Sequence, residues 1–141
     1  MATFTKFNQF AEDVYEKVHN LGADTLKVLL TNTAPTSSNA VKGDLTEISA
    51  GNGYSAGGTQ ASQSSSAQSS GTYKLVCGDV VFTASGGSIG PFRYAVLYND
   101  TPSSPADPLI GFWDYGSSIT LASGETFTVD FDGTNGVLQH A

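Results

Sequence analysis

Hydrophobic and polar positions along this chain change period once, early, and then stay strand-like to the end. In residues 4–21 the apolar side chains Phe7, Phe10, Val14, Val18 and Leu21 recur at three- and four-residue steps. Glu12, Asp13, Glu16 and Lys17 fall largely on the other side. That spacing predicts one N-terminal amphipathic α-helix, closed by a left-handed residue at Gly22. Its apolar stripe must be buried, either on the chain's own sheet or on a neighbouring subunit. After Gly22 the apolar runs are short, alternate with polar residues and are bounded by Gly, Pro, Asn and Ser, the pattern of strands and turns.

The densest part of that pattern is SIGPFRYAVLYNDTPSSPADPLIGFWDYG, where the runs 92–98 and 109–115 flank a connection holding Pro102, Pro105 and Pro108. Each run has the length of a strand and is too short for a helix. Proline cannot donate to a ladder, so the connection must leave the sheet and return. Two antiparallel strands joined by a long surface loop are predicted, with Phe92, Val96, Ile110, Phe112 and Trp113 as core anchors. Further strands are predicted at 24–31, 44–50, 117–122 and 125–131, with Phe127 and Phe131 on one face of the last. Residues 72–84 supply one or two more, broken or bulged at Gly78. The glycines of 51–58 read as a tight turn with positive φ; a nucleotide fingerprint needs a strand before and a helix after, and here Ser, Gln and Gly follow. One helix and seven to nine short strands predict a mainly β domain spanning 1–141. The architecture expected is an antiparallel β-sandwich or jelly-roll-like barrel with one N-terminal amphipathic α-helix, residues 1–22 forming an arm and that helix.

Residues 60–71, QASQSSSAQSSG, stand apart as low-complexity and polar. They fit a flexible linker, an edge segment whose apolar residues are replaced by Ser and Ala, or a loop ordered only by a neighbouring subunit.

Composition narrows the functions. Only 13% of residues are charged, which leaves a surface of Ser, Thr, Asn and Gly suited to packing against copies of itself. A net charge of −7 with six Lys and Arg argues against nucleic acid and against an anionic membrane. No apolar run is long enough to span a bilayer, and the first residues lack the order of a signal peptide. The single cysteine, Cys77, excludes an intrachain disulfide, reads as a small buried hydrophobe, and fits synthesis in a reducing cytoplasm.

The search for chemistry yields no catalytic residue, no cofactor and no metal site as the expectation. No Gly-x-Ser-x-Gly elbow surrounds the serines, and His19 and His140 lie in contexts without an orienting signal. Glu12, Asp13 and Glu16 are placed on the solvated helix face. Asp130, Asp132 and Asn135 lack the alternation and closing Glu of an EF-hand, and Asp-Gly with Asn-Gly already makes a turn. Asp114, between Trp113 and Tyr115, is the one carboxylate in aromatic company; it carries a raised pKa, caps a turn, or points outward by strand alternation. The aromatics Tyr94, Tyr98, Trp113 and Tyr115 fit core and cross-strand pairs or a sugar-binding platform.

Three segments resemble recurring pieces of tailed-bacteriophage virion proteins: LKVLLTNTAP, EISAGNGYSAGG, and FTASGGSIGPFRYAVLYNDT with DPLIGFWDYGSSITLASGETFTVDF. Together they cover most of 26–131, and GPFRYAVLYNDT with PLIGFWDYG carries the likeness; the serine-rich 60–71 departs from it. The resemblance implies a small structural protein of the phage particle, encoded close to the major capsid protein, and brings no catalytic motif. The expected role is capsid decoration (cement) on the virion surface, binding junctions of the major capsid protein as a homo-oligomer, a trimer by preference. A tail or head-fibre component and a carbohydrate-binding module using Trp113 are the alternatives. Contacts are expected from residues 1–6, the helix face Phe4, Phe7, Phe10 and Val14, and the polar positions Gln60, Ser64 and Gln68.

Overall fold

The computed structural model describes residues 2–141; Met1, part of the predicted arm, lies outside the described residues. The chain is mainly β, with antiparallel sheets and one α-helix. Its strands are β1 (Thr5–Lys6), β2 (Leu26–Thr31), β3 (Thr59–Gln60), β4 (Gln63–Ser69), β5 (Thr72–Cys77), β6 (Val80–Thr83), β7 (Ile89–Asn99), β8 (Leu109–Leu121), β9 (Thr126–Val129) and β10 (Leu138–His140). The helix, α1, is Asn8–Tyr15. A five-stranded sheet runs β1-β8-β7-β2-β3, a three-stranded sheet β10-β5-β4 and a two-stranded ribbon β6-β9. Among the described residues no sheet closes into a barrel.

The β7–β8 pair is the centre of the large sheet, as the flanking apolar runs predict. Tyr94 faces Asp114, Val96 faces Phe112 and Leu97 faces Gly111 across it. The register shifts on either side of Phe92, and this irregularity turns the Phe92 side chain into the main core despite the strand's alternation. Leu26, Val28 and Leu30 of β2, Leu75 of β5, Phe82 of β6 and Phe131 meet it there, so all three sheets share one core. The opposite face of the large sheet is also buried. Phe7, Leu29, Val96, Tyr98 and Leu109 pack there with Leu45 and Phe112. A sheet covered on both faces explains why β2 and β7 read as near-continuous apolar runs. The cover is the 32–45 connection, pinned where Leu109 N–H donates to the Ala40 carbonyl and Lys42 N–H to that of Asp107.

Of the predicted anchors, Phe92, Val96, Ile110 and Phe131 are buried, whereas Phe112, Trp113 and Phe127 are half-buried and pack against the two clusters.

Three expectations need correction. The helix is two turns, shorter at both ends than the 4–21 pattern predicts: residues 5–6 pair instead with β8, and α1 stops at Tyr15. Lys17, at φ 66°, takes the left-handed place expected of Gly22. Val18 N–H reaches the Asp13 carbonyl and Lys17 N–H that of Val14, a Schellman closure that leaves Gly22 outside the helix. Residues 44–50 form no strand; only Glu47 bridges to Thr31. Their side chains serve the neighbouring turn instead, as described below. Residues 117–122 are not a separate strand, because β8 continues unbroken to Leu121 through the exposed Gly116. The 60–71 segment adopts the edge reading: β4 pairs with β5 on one side, and among the described residues its other edge has no strand neighbour.

Candidate functional site

The glycine-rich turn is structural. Tyr54 is buried, accepts a hydrogen bond from Leu30 N–H at 3.1 Å and donates to Glu47 Oε1 at 2.6 Å. The same carboxylate oxygen accepts Gly57 N–H at 2.6 Å, and the buried Tyr98 hydroxyl donates to the Gly57 carbonyl. Burial pushes both phenols far up, Tyr54 further through its bond to Glu47, so neither ionises in the folded chain. Gly58, at φ +80°, lies so close to β2 that a Cβ would strike the Val28 carbonyl.

A groove of about 460 Å³ opens between the β7–β8 pair, β9 and the 130–137 segment, lined by Phe4, Arg93, Trp113, Tyr115, Phe127 and Phe131 among others. Trp113 lies between Phe4 (5.3 Å between ring centres) and Phe131 (5.5 Å), and Tyr115 packs edge-on against Phe127 while remaining 55% exposed. Arg93 clamps Asp114 through two bonds of 2.7 and 3.0 Å, and Asp114 Oδ1 also accepts Gly116 N–H. The guanidinium, with Gly116 N–H, holds the Asp114 carboxyl below the usual range, so the structure gives it no raised pKa; Asp114 sits exposed inside the unbroken β8, its side chain turned outward to Arg93. Asp132 Oδ1 accepts the N–H groups of Thr134 and Asn135, which accounts for the acidic 130–135 stretch as a turn.

Contact residues expected from the sequence fall into two groups. Phe7 and Phe10 are buried in the chain's own clusters, and Phe4 and Val14 are half-buried against the main one. The helix face is thereby satisfied at home, and Phe7 and Phe10 are inaccessible to a neighbour in this fold. Gln60, Ser64 and Gln68 are exposed, Gln60 on β3 and the other two along β4. Cys77 is buried, and burial pushes its thiol up to about 11. Among the described residues no three His, Cys, Asp or Glu converge as metal ligands, and no helix is long and apolar enough to cross a membrane.

Sequence reasoning missed one polar cluster, made by His19, Asn99, Asp24 and Asp13. Asp13 is only 5% exposed, not on the solvated helix face. The available signal was its three-residue step from Phe10, which sets both on one side of α1. Nothing local marked His19, brought to Asn99 across 80 positions of sequence.

A scan against models of protein families and searches of curated proteins and of solved structures return no match to this chain.

Proposed function

We propose that this chain is a structural protein of a tailed-bacteriophage virion, a capsid decoration protein that binds the outer shell at junctions of the major capsid protein and stiffens it by non-covalent contact. The observation that carries the reading is β4. It presents a seven-residue strand with one open edge and exposed, uncharged side chains from Ser64 to Ser69. Open edges ordinarily carry Lys, Pro or inward charges that repel a partner strand; β4 carries none. An extended segment of a neighbouring subunit can add to such an edge through main-chain hydrogen bonds. The virion likeness supports the same reading, because GPFRYAVLYNDT and PLIGFWDYG are the β7–β8 scaffold that the rest is built on. We read the packed sheets as a sandwich serving as a rigid spacer, its many copies adding small contacts over a closed shell as a homo-oligomer, a trimer by preference.

Mass spectrometry and cryo-electron microscopy of separated heads and tails test this. The chain is expected on heads, and shells lacking it should burst at lower temperature or force. Its presence on tails alone assigns it to a tail or fibre ring, and shells of normal toughness without it refute the cement role.

The groove at Trp113 favours a second reading, a carbohydrate-binding module. Aromatic rings with Arg93 at one wall, its guanidinium fixed from behind by Asp114, offer a stacking surface beside a polar anchor. Under that reading tryptophan fluorescence responds to glycans and Trp113→Ala abolishes retention on polysaccharide columns. No response sinks it.

A further inference from the structure

Between α1, the 16–25 connection and the end of β7 lies a polar cluster that neither reading above uses. His19 is 9% exposed and packs its ring against Phe10 at 5.1 Å. Its Nδ1 lies 3.1 Å from Asn99 Nδ2. Two bonds fix which way the Asn99 amide points. Its Oδ1 accepts Thr101 N–H at 3.1 Å, and its Nδ2 lies 2.7 Å from Asp24 Oδ2, an acceptor that also takes Asn20 N–H. The amide nitrogen therefore donates one hydrogen to Asp24 and the other to His19 Nδ1. Nδ1 must then be the bare, accepting nitrogen, and the ring's one proton sits on Nε2. Nε2 has no partner, and neither does Oδ2 of the buried Asp13, whose Oδ1 accepts from Gln9.

We propose that His19 is an acid-released latch: with Nδ1 bare it holds the 16–25 connection to β7 through Asn99, and a proton arriving at Nδ1 breaks that hold. A proton taken from solvent onto Nδ1 sets an N–H against the Asn99 N–H, donor against donor. Flipping the amide gives no escape, because it turns Oδ1 toward the Asp24 carboxylate and Nδ2 toward Thr101 N–H. The released imidazolium has carboxylates to meet, Asp13 from α1 and Asp24 from its own connection. Lys17 of that connection, Tyr73 of β5 and His140 of β10 border the same shallow cleft, and Ser66 of β4 closes it. The acid state thus loosens the segment lying beside β4, the strand offered above as a contact edge. Burial opposes the charged ring and outweighs the pull of Asp13 and Asp24, holding its pKa below 6.5. The sign follows: above 6.5 the latch costs nothing, and as pH falls from there toward the lower folded value the unfolded chain binds a proton that the folded chain refuses.

The test is a ¹⁵N-imidazole NMR titration of the full chain from pH 8 to pH 4, with melting curves for wild type, His19→Asn and His140→Gln. Asn sets an amide oxygen where Nδ1 stands and does not titrate. Expected are an Nε2–H tautomer at pH 8, a His19 midpoint below 6.5, and an Asn99 side-chain amide shift that moves with it. Wild type and His140→Gln should lose up to about tenfold in folding equilibrium per pH unit across that window, beyond any loss shared by His19→Asn. A neutral ring protonated on Nδ1, a midpoint at or above 6.5, or an equal acid loss in His19→Asn overturns the latch. The titration of wild type decides the matter even where His19→Asn does not fold.

Discussion

Removing one oxygen atom, by Tyr54→Phe, measures how far the glycine-rich turn is tied to the sheet. The ring stays, so its packing on Phe82 at 5.8 Å is retained and only the hydroxyl bonds are lost. Two contributions follow. Leu30 N–H, in a fully buried residue of β2, loses its acceptor, and an unsatisfied buried donor costs about 1–3 kcal/mol. Glu47 Oε1 loses a charge-assisted bond but keeps Gly57 N–H and is half-exposed, so water replaces much of it at a cost of about 1 kcal/mol. The sum is about 2–4 kcal/mol. For a chain of this length 1 kcal/mol moves Tm by roughly 3–5 °C, so a fall on the order of 10 °C is expected. Calorimetry reads the total, and amide hydrogen exchange reads its location, through lost protection at Leu30 with little change at Leu97. A drop below about 0.5 kcal/mol, within the range of ordinary surface substitutions, would refute the claim that this hydroxyl is the turn's main tie.

Other substitutions probe the same framework. Gly58→Ala meets both a left-handed φ and the Val28 carbonyl, and should cost about 2–4 kcal/mol by denaturant titration; Gly124→Ala, at φ +91° in open space, should cost only about 1 kcal/mol. Cys77, buried and with its thiol near 11, should resist a thiol reagent at pH 8 until denaturant is added, and prompt labelling of the folded chain contradicts that placement. Asp107 sits at φ 51° with its carboxyl pushed up by partial burial and by neighbouring Asp100, against the pull of Lys42. Its raised pKa makes the charged form unfavourable at neutral pH, so Asp107→Asn should raise Tm at pH 7, with the gain vanishing where acid already protonates the wild-type carboxyl. A gain that persists unchanged at pH 3 would mean that the charge is not the cause.

Legibility in the sequence followed the range of the forces. The β7–β8 pair, β2 and β9 could be read because burial on a sheet face prints a local pattern, and Val96, Ile110 and Phe131 are buried as that pattern required, whereas Phe92 reaches the main core through a register shift that no pattern shows. The helix was overextended because Val18 and Leu21 keep the right spacing, yet a Schellman closure at Lys17 depends on backbone bonds that no side-chain period records. Residues 44–50 alternate like a strand, but Glu47 spends its carboxylate on Tyr54 and Gly57, a partnership seven and ten residues away. Serine-rich β4 hid for the opposite reason: an edge strand exposed along nearly its whole length has no apolar face to announce it.

The distribution of unmet hydrogen bonds separates what holds this molecule together from what can respond to its surroundings. Tyr54, Tyr98 and Glu47 are buried or half-buried with every hydroxyl or carboxylate bond named above made on one turn and one sheet, an arrangement that favours a single geometry. Among the described residues, the two buried side-chain atoms without partners, Asp13 Oδ2 and His19 Nε2, belong to one cluster at the end of β7. Each such atom carries a desolvation cost that the rest of the chain avoids. A scaffold that only filled space would gain by replacing them with apolar groups of the same shape. Their concentration in one place, at a cleft bordered by Ser66 of β4, Tyr73 of β5 and His140 of β10 and on a segment closed by a non-glycine left-handed residue, makes that corner the region where a change in proton concentration or a docking neighbour finds the least resistance.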